Sequence, residues 1–111
     1  MTKFFLIFLS LTILTLSSSS AAIYKGQKVF VKKCVKCHDS GQAFVAEYKM
    51  KQWKKWMKKK GKGLANIHLK SKKAKKSHKY FASKTYTKKT KHLKQFLVEY
   101  AKDSGNVPAC N

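Results

Sequence analysis

The sequence predicts an all-α domain of three to five short helices, and three observations lead there. Apolar residues recur at helical spacing in two segments. Met50, Trp53 and Met57 stand at i, i+3 and i+7, and Leu93, Phe96, Leu97, Tyr100 and Ala101 at i, i+3, i+4, i+7 and i+8. No run alternates apolar and polar residues as a half-buried strand does, and no internal repeat is present. The length, 111 residues, suits one small domain. A net charge of +22 would favour an expanded chain, but 43% apolar and 13% aromatic residues are too many for a disordered tail.

The elements follow in order. Lys3 precedes an apolar run at 4–16, then serines at 17–20 and Ala21 and Ala22. A basic start, a short apolar stretch and small residues at its end form the layout of a cleavable secretory signal. The run is shorter than the ~20 residues a membrane span needs. The expected division is a signal peptide at 1–22, cut after Ala22, and a soluble, exported domain at 23–111. Residues 24–33 suit a helix in which Gly26 permits close approach of another helix and Val29 and Phe30 supply apolar contact. Asp39, Ser40 and Gly41 read as a turn.

A second helix is expected over 44–60, with Trp56 beside its apolar stripe and Gly61 and Gly63 as C-terminal caps. A short apolar piece at 64–69 contains Ile67 and His68. Residues 71–79 are dense in Lys and suit a solvated helix or a loop. Tyr80 and Phe81 form an aromatic pair suited to packing on the core. The last helix is expected over 90–102, with Thr90 as N-cap and a break at 103–108. The first and last helices should cross.

Between the first two helices stands Cys34-Val35-Lys36-Cys37-His38. Cys-x-x-Cys-His is the attachment pattern of c-type haem. The two thiols can add across the porphyrin vinyl groups as thioethers, and the adjacent His then offers its imidazole to the iron. A redox disulfide or half a zinc site uses the same Cys spacing. The first belongs in a βαβ unit, which no strand pattern supports here, and the second lacks partners, since the only other Cys is Cys110. Haem attachment of this kind takes place outside the cytoplasm in bacteria, in keeping with the export signal. A covalent haem would also staple a chain whose core is small. Cys110, the odd cysteine, is left as a free thiol or an intermolecular bridge.

Residues 24–38, with Gly26 and Phe30 ahead of Cys34, Cys37 and His38, resemble the start of small class I bacterial cytochromes c. Residues 93–100 resemble the last helix of that family. The Lys-rich, Arg-free composition and the ending at 104–110 are similar to small monohaem cytochromes of epsilonproteobacteria. The resemblance implies a cytochrome c-like fold wrapped around one haem c, bound through Cys34, Cys37 and His38, with His38 as an iron ligand.

The sixth ligand stays open. The family usually takes a Met shortly before the last helix, but no Met follows Met57. His78 occupies the corresponding place. His68 lies between Ile67 and Leu69, an apolar setting that would bring it inside. Met57 and Met50 share the stripe with Trp53, where Met is ordinarily packing. His92 sits among lysines as an exposed residue would.

All 26 basic residues are Lys. Specific nucleic-acid readout favours Arg, so nucleic acid is not an expected partner. A diffuse Lys field suits steering towards acidic redox proteins, with at most peripheral contact with an anionic membrane. Lys36, Lys58, Lys59, Lys60 and Lys62 are the expected docking residues. Only Asp39, Glu47, Glu99 and Asp103 are acidic, and they form no evident acid–base pair, so catalysis is not expected. The expected function is a periplasmic, monomeric electron carrier. A haem protein that binds gas or senses redox state through a labile sixth position is the alternative. A charge-driven cationic binder without haem is a third, weaker reading.

Overall fold

A computed structural model describes residues 19–108, and the regular structure among them is entirely helical. The predicted secretory segment at 1–22 lies outside the described residues up to Leu16, Ser17 and Ser18, and Cys110 lies outside them as well. No helix among the described residues is long and apolar enough to cross a membrane.

Helix α1 (Ser19–Lys33) packs along α5 (Lys84–Glu99), as expected of the first and last helices. Gly26 makes the approach possible: a Cβ there would overlap the His92 carbonyl and stand 2.8 Å from Phe96 Cβ. One turn on, Phe30 meets Phe96 with ring centroids 5.4 Å apart. Phe30, Leu93, Phe96 and Leu97 are all buried, so this contact carries much of the core.

The expected helix at 44–60 is two elements. Residues Gly41–Glu47 form a 3-10 segment, Tyr48 and Lys49 are extended, and α2 covers Met50–Trp56. The break comes from the far end of the chain. The Lys102 amide donates to the Tyr48 carbonyl at 2.9 Å, and Asp103 Oδ1 accepts from the Met50 amide at 2.8 Å, capping α2 in place of a local side chain. Val45 and Trp53 are buried together, joined by a hydrogen bond from Trp53 Nε1 to the Val45 carbonyl at 2.9 Å. Met57 is buried beside them.

Helix α3 (Lys58–Leu69) opens with a left-handed turn, Lys59, Lys60 and Gly61 having φ of 51°, 56° and 73°. The C-cap of α2 is Met57, whose amide donates to the Trp53 carbonyl at 3.0 Å, and the two glycines expected to cap it, Gly61 and Gly63, both lie within α3. The piece at 64–69 is the regular part of this helix. A second 3-10 segment, Lys72–Ser77, leads into the single turn α4 (His78–Phe81). Helix α5 starts six residues earlier than Thr90. Its N-cap is Ser83, whose hydroxyl accepts from the Tyr86 amide at 3.3 Å. Thr90 is buried in mid-helix and donates to the Thr87 carbonyl.

Candidate cofactor-binding site

The chain leaves α1 in a tight turn. The Cys34 amide donates to Phe30 O at 2.8 Å, the Cys37 and His38 amides both reach Cys34 O at 3.1 Å, and Gly41 donates to His38 O at 2.9 Å. This winding turns Cys34, Cys37 and His38 towards one cavity of about 360 Å³. That size is in the range of cofactor clefts. Its walls are mostly apolar and come from every part of the fold: Phe30, Phe44, Trp53, Leu64, Phe81 and Leu97.

Two imidazoles line this cavity, His38 and His68. Their centroids are 6.2 Å apart and their planes are at 82°. Each is backed by a phenyl ring. His38 stacks on Phe44 at 3.9 Å and His68 on Phe81 at 4.1 Å. His68 Nδ1 is 2.8 Å from the Leu64 carbonyl one helical turn back. A carbonyl only accepts, so Nδ1 carries a proton, and in the neutral ring Nε2 is then the nitrogen with the lone pair.

Burial, with His68 next, lowers the His38 pKa below its ordinary value. A neutral ring follows at neutral pH, the form in which imidazole binds metals. Burial, with Cys37 adding to it, pushes the Cys34 thiol up to about 12. A disulfide-exchanging cysteine needs the opposite shift, towards thiolate, so the environment of Cys34 does not suit that chemistry.

The other ligand candidates are placed elsewhere. His78 Nε2 is 2.8 Å from the carbonyl of His68 and 3.0 Å from that of Ser71. That side chain ties down the C-terminal end of α3 instead of facing the cavity. Met57 is core packing, and neither it nor Met50 or His92 lines the cavity. Of the expected docking lysines, Lys36 neighbours Cys37 and is exposed, whereas Lys58 lies on a separate groove with Lys54, Lys55 and Lys102. The lysines at the cavity itself are Lys33 and Lys73. Sequence reasoning passed over both, although Lys33 directly precedes Cys34.

Among the described residues no three His, Cys, Asp or Glu side chains gather into a metal-binding set. Haem iron requires no such set, because the macrocycle brings the equatorial donors itself. Two thiols beside an imidazole, lining an apolar cleft with aromatic walls, fit a flat, largely apolar prosthetic group. Comparison of the chain with protein-family models, with curated proteins and with solved structures finds no match in any of the three.

Proposed function

We propose that this protein is a small monohaem c-type cytochrome of the class I kind, an exported electron carrier. Cys34 and Cys37 would bind haem as thioethers and His38 would hold its iron. One observation carries the reading: the three residues of the Cys-x-x-Cys-His motif face a single cleft with apolar and aromatic walls. Bound haem supplies one-electron chemistry between ferric and ferrous iron. The chain's own residues do the rest. Phe44 holds the His38 ring by stacking. Phe30, Trp53 and Leu97 keep water from the buried side of the cleft. Lys33 and Lys73 place positive charge where an acidic donor or acceptor would dock. The N-terminal layout at 1–22 supports maturation in the periplasm, where c-type haem is attached, and the protein would act there as a monomer.

The test is expression of the full chain in a host that matures c-type haem, followed by haem staining after denaturing electrophoresis and an alkaline pyridine spectrum. Haem that survives denaturation, with the α-band of a doubly thioether-linked group, is the expected result. Cys34→Ser and Cys37→Ser together should abolish it. Material that carries no covalent haem would remove the reading.

A further inference from the structure

We infer that His68 is the second axial ligand, so that the iron is held between two imidazoles, His38 and His68. This inference rests on the haem reading above and deepens it.

The spacing of the two rings carries the argument. A transition metal bound end-on between two imidazoles lies about 2 Å from each ligating nitrogen. A ring centre lies about 1.1 Å behind its nitrogen along the same line, which separates the two centres by about 6.2 Å. The observed separation is 6.2 Å. Each imidazole plane contains its own bond to the metal and turns freely about it, so perpendicular planes, as the 82° angle gives here, are compatible with one metal between them.

The surroundings of His68 prepare it for this role. Its Nδ1 is engaged with the Leu64 carbonyl, which selects the tautomer with a lone pair on Nε2. Phe81 stacks on the ring and restricts its rotation. The backbone that carries it is also held: the His68 carbonyl accepts from His78 Nε2. His78 is therefore a positioning residue for the segment, not a ligand. Met57 lies in the core and away from the cleft.

The test uses the mature full-length protein and reads the spin state of ferric haem by electron paramagnetic resonance and absorption. Wild type should be low-spin and lack the far-red charge-transfer band of Met–iron ligation. His68→Gly should retain covalent haem but turn high-spin, and the ferrous form should gain carbon monoxide binding by at least tenfold. Added imidazole should restore the low-spin spectrum. Met57→Leu should remain low-spin. His68→Met covers the case in which the glycine variant fails to accumulate, and it should gain the far-red band. A low-spin His68→Gly protein without added imidazole, a far-red band in wild type, or loss of low-spin character in Met57→Leu alone would overturn the inference while leaving covalent haem in place. Absence of covalent haem from wild type would instead remove the reading on which it rests.

Discussion

The Tyr86 hydroxyl donates to the Gly61 carbonyl at 2.6 Å across the core. The acceptor belongs to the left-handed turn that joins α2 to α3, and the donor sits in the first turns of α5. Through this bond α5 fixes where the regular part of α3 begins, and so where His68 comes to lie seven residues later. The contact leaves no room at Gly61. A Cβ there would overlap the Tyr86 hydroxyl and stand 3.0 Å from Thr90 Cγ2, on a backbone with φ of +73°. Gly61→Ala should therefore lose about 2–4 kcal/mol, from left-handed strain together with overpacking. Gly105→Ala, at φ of +77° with open space around it, should lose only about 1 kcal/mol. Urea unfolding of both variants measures the difference, and equal losses would refute the packing argument.

Removal of the hydroxyl tests the same bond from the other side. Tyr86→Phe leaves a buried carbonyl without its partner, at a cost of about 1–3 kcal/mol near pH 7. Burial, with Tyr80 and then Cys34 adding, raises the Tyr86 pKa above its ordinary value, whereas the unfolded hydroxyl ionises near its ordinary value of about 10. Above that pH the unfolded chain releases a proton that the folded chain retains. The unfolded state then binds fewer protons, and stability falls as pH rises. Phe has no proton to lose. The stability gap between wild type and Tyr86→Phe should therefore narrow steadily between pH 10 and pH 12. Tyr80, raised by burial to about 12, contributes a similar slope to both proteins and cancels in the comparison. A constant gap in urea titrations across that range would contradict the assignment.

Lys59 and Lys60 occupy left-handed backbone that non-glycine residues enter at a cost of about 1–2 kcal/mol each. Both are exposed, so their side chains offer little packing in return. Lys59→Gly and Lys60→Gly should each stabilise the protein by about 0.5–1 kcal/mol, the strain relieved being partly offset by the greater freedom of glycine in the unfolded chain. Thermal unfolding midpoints should rise in both variants. A fall would mean that the lysine stems pack on the turn.

The fold was legible where a local pattern matched the final contact. Leu93, Phe96 and Leu97 mark the buried face of α5, Gly26 marks the helix crossing, and Cys34, Cys37 and His38 mark the cleft. The split of 44–60 was hidden because its causes lie some fifty residues away in sequence, Lys102 acting through its backbone amide and Asp103 through its carboxylate. The start of α5 was hidden for another reason. Ser83 is a sound N-cap, but Lys and Thr dominate the turns that follow it, so the apolar rhythm becomes readable only near Thr90. Nor could His68 be separated from His78 by residue type. Both are histidines beside a Lys-rich stretch, and only the course of α3 turns one into the cleft and leaves the other bonded to the backbone.

The charge distribution bears on the proposed carrier role. Lys33 and Lys73 line the cleft, and Lys33 also stands over the Tyr80 ring at 5.1 Å. Lys58 and Lys62 are exposed away from the cleft lining. Steering charges act on encounter, and salt screens them over about 10 Å at 0.1 M. Reversal of charge at the cleft, Lys33→Glu with Lys73→Glu, should therefore slow bimolecular electron transfer from an acidic redox protein about tenfold or more at low salt, and far less at high salt. The same change at Lys58 and Lys62 alters net charge equally but lies off the docking face, so its effect should be several-fold smaller. Stopped-flow rates across a salt series decide the matter. Equal slowing by the two pairs would mean that net charge alone guides encounter, and insensitivity to salt would mean that charge does not guide it at all.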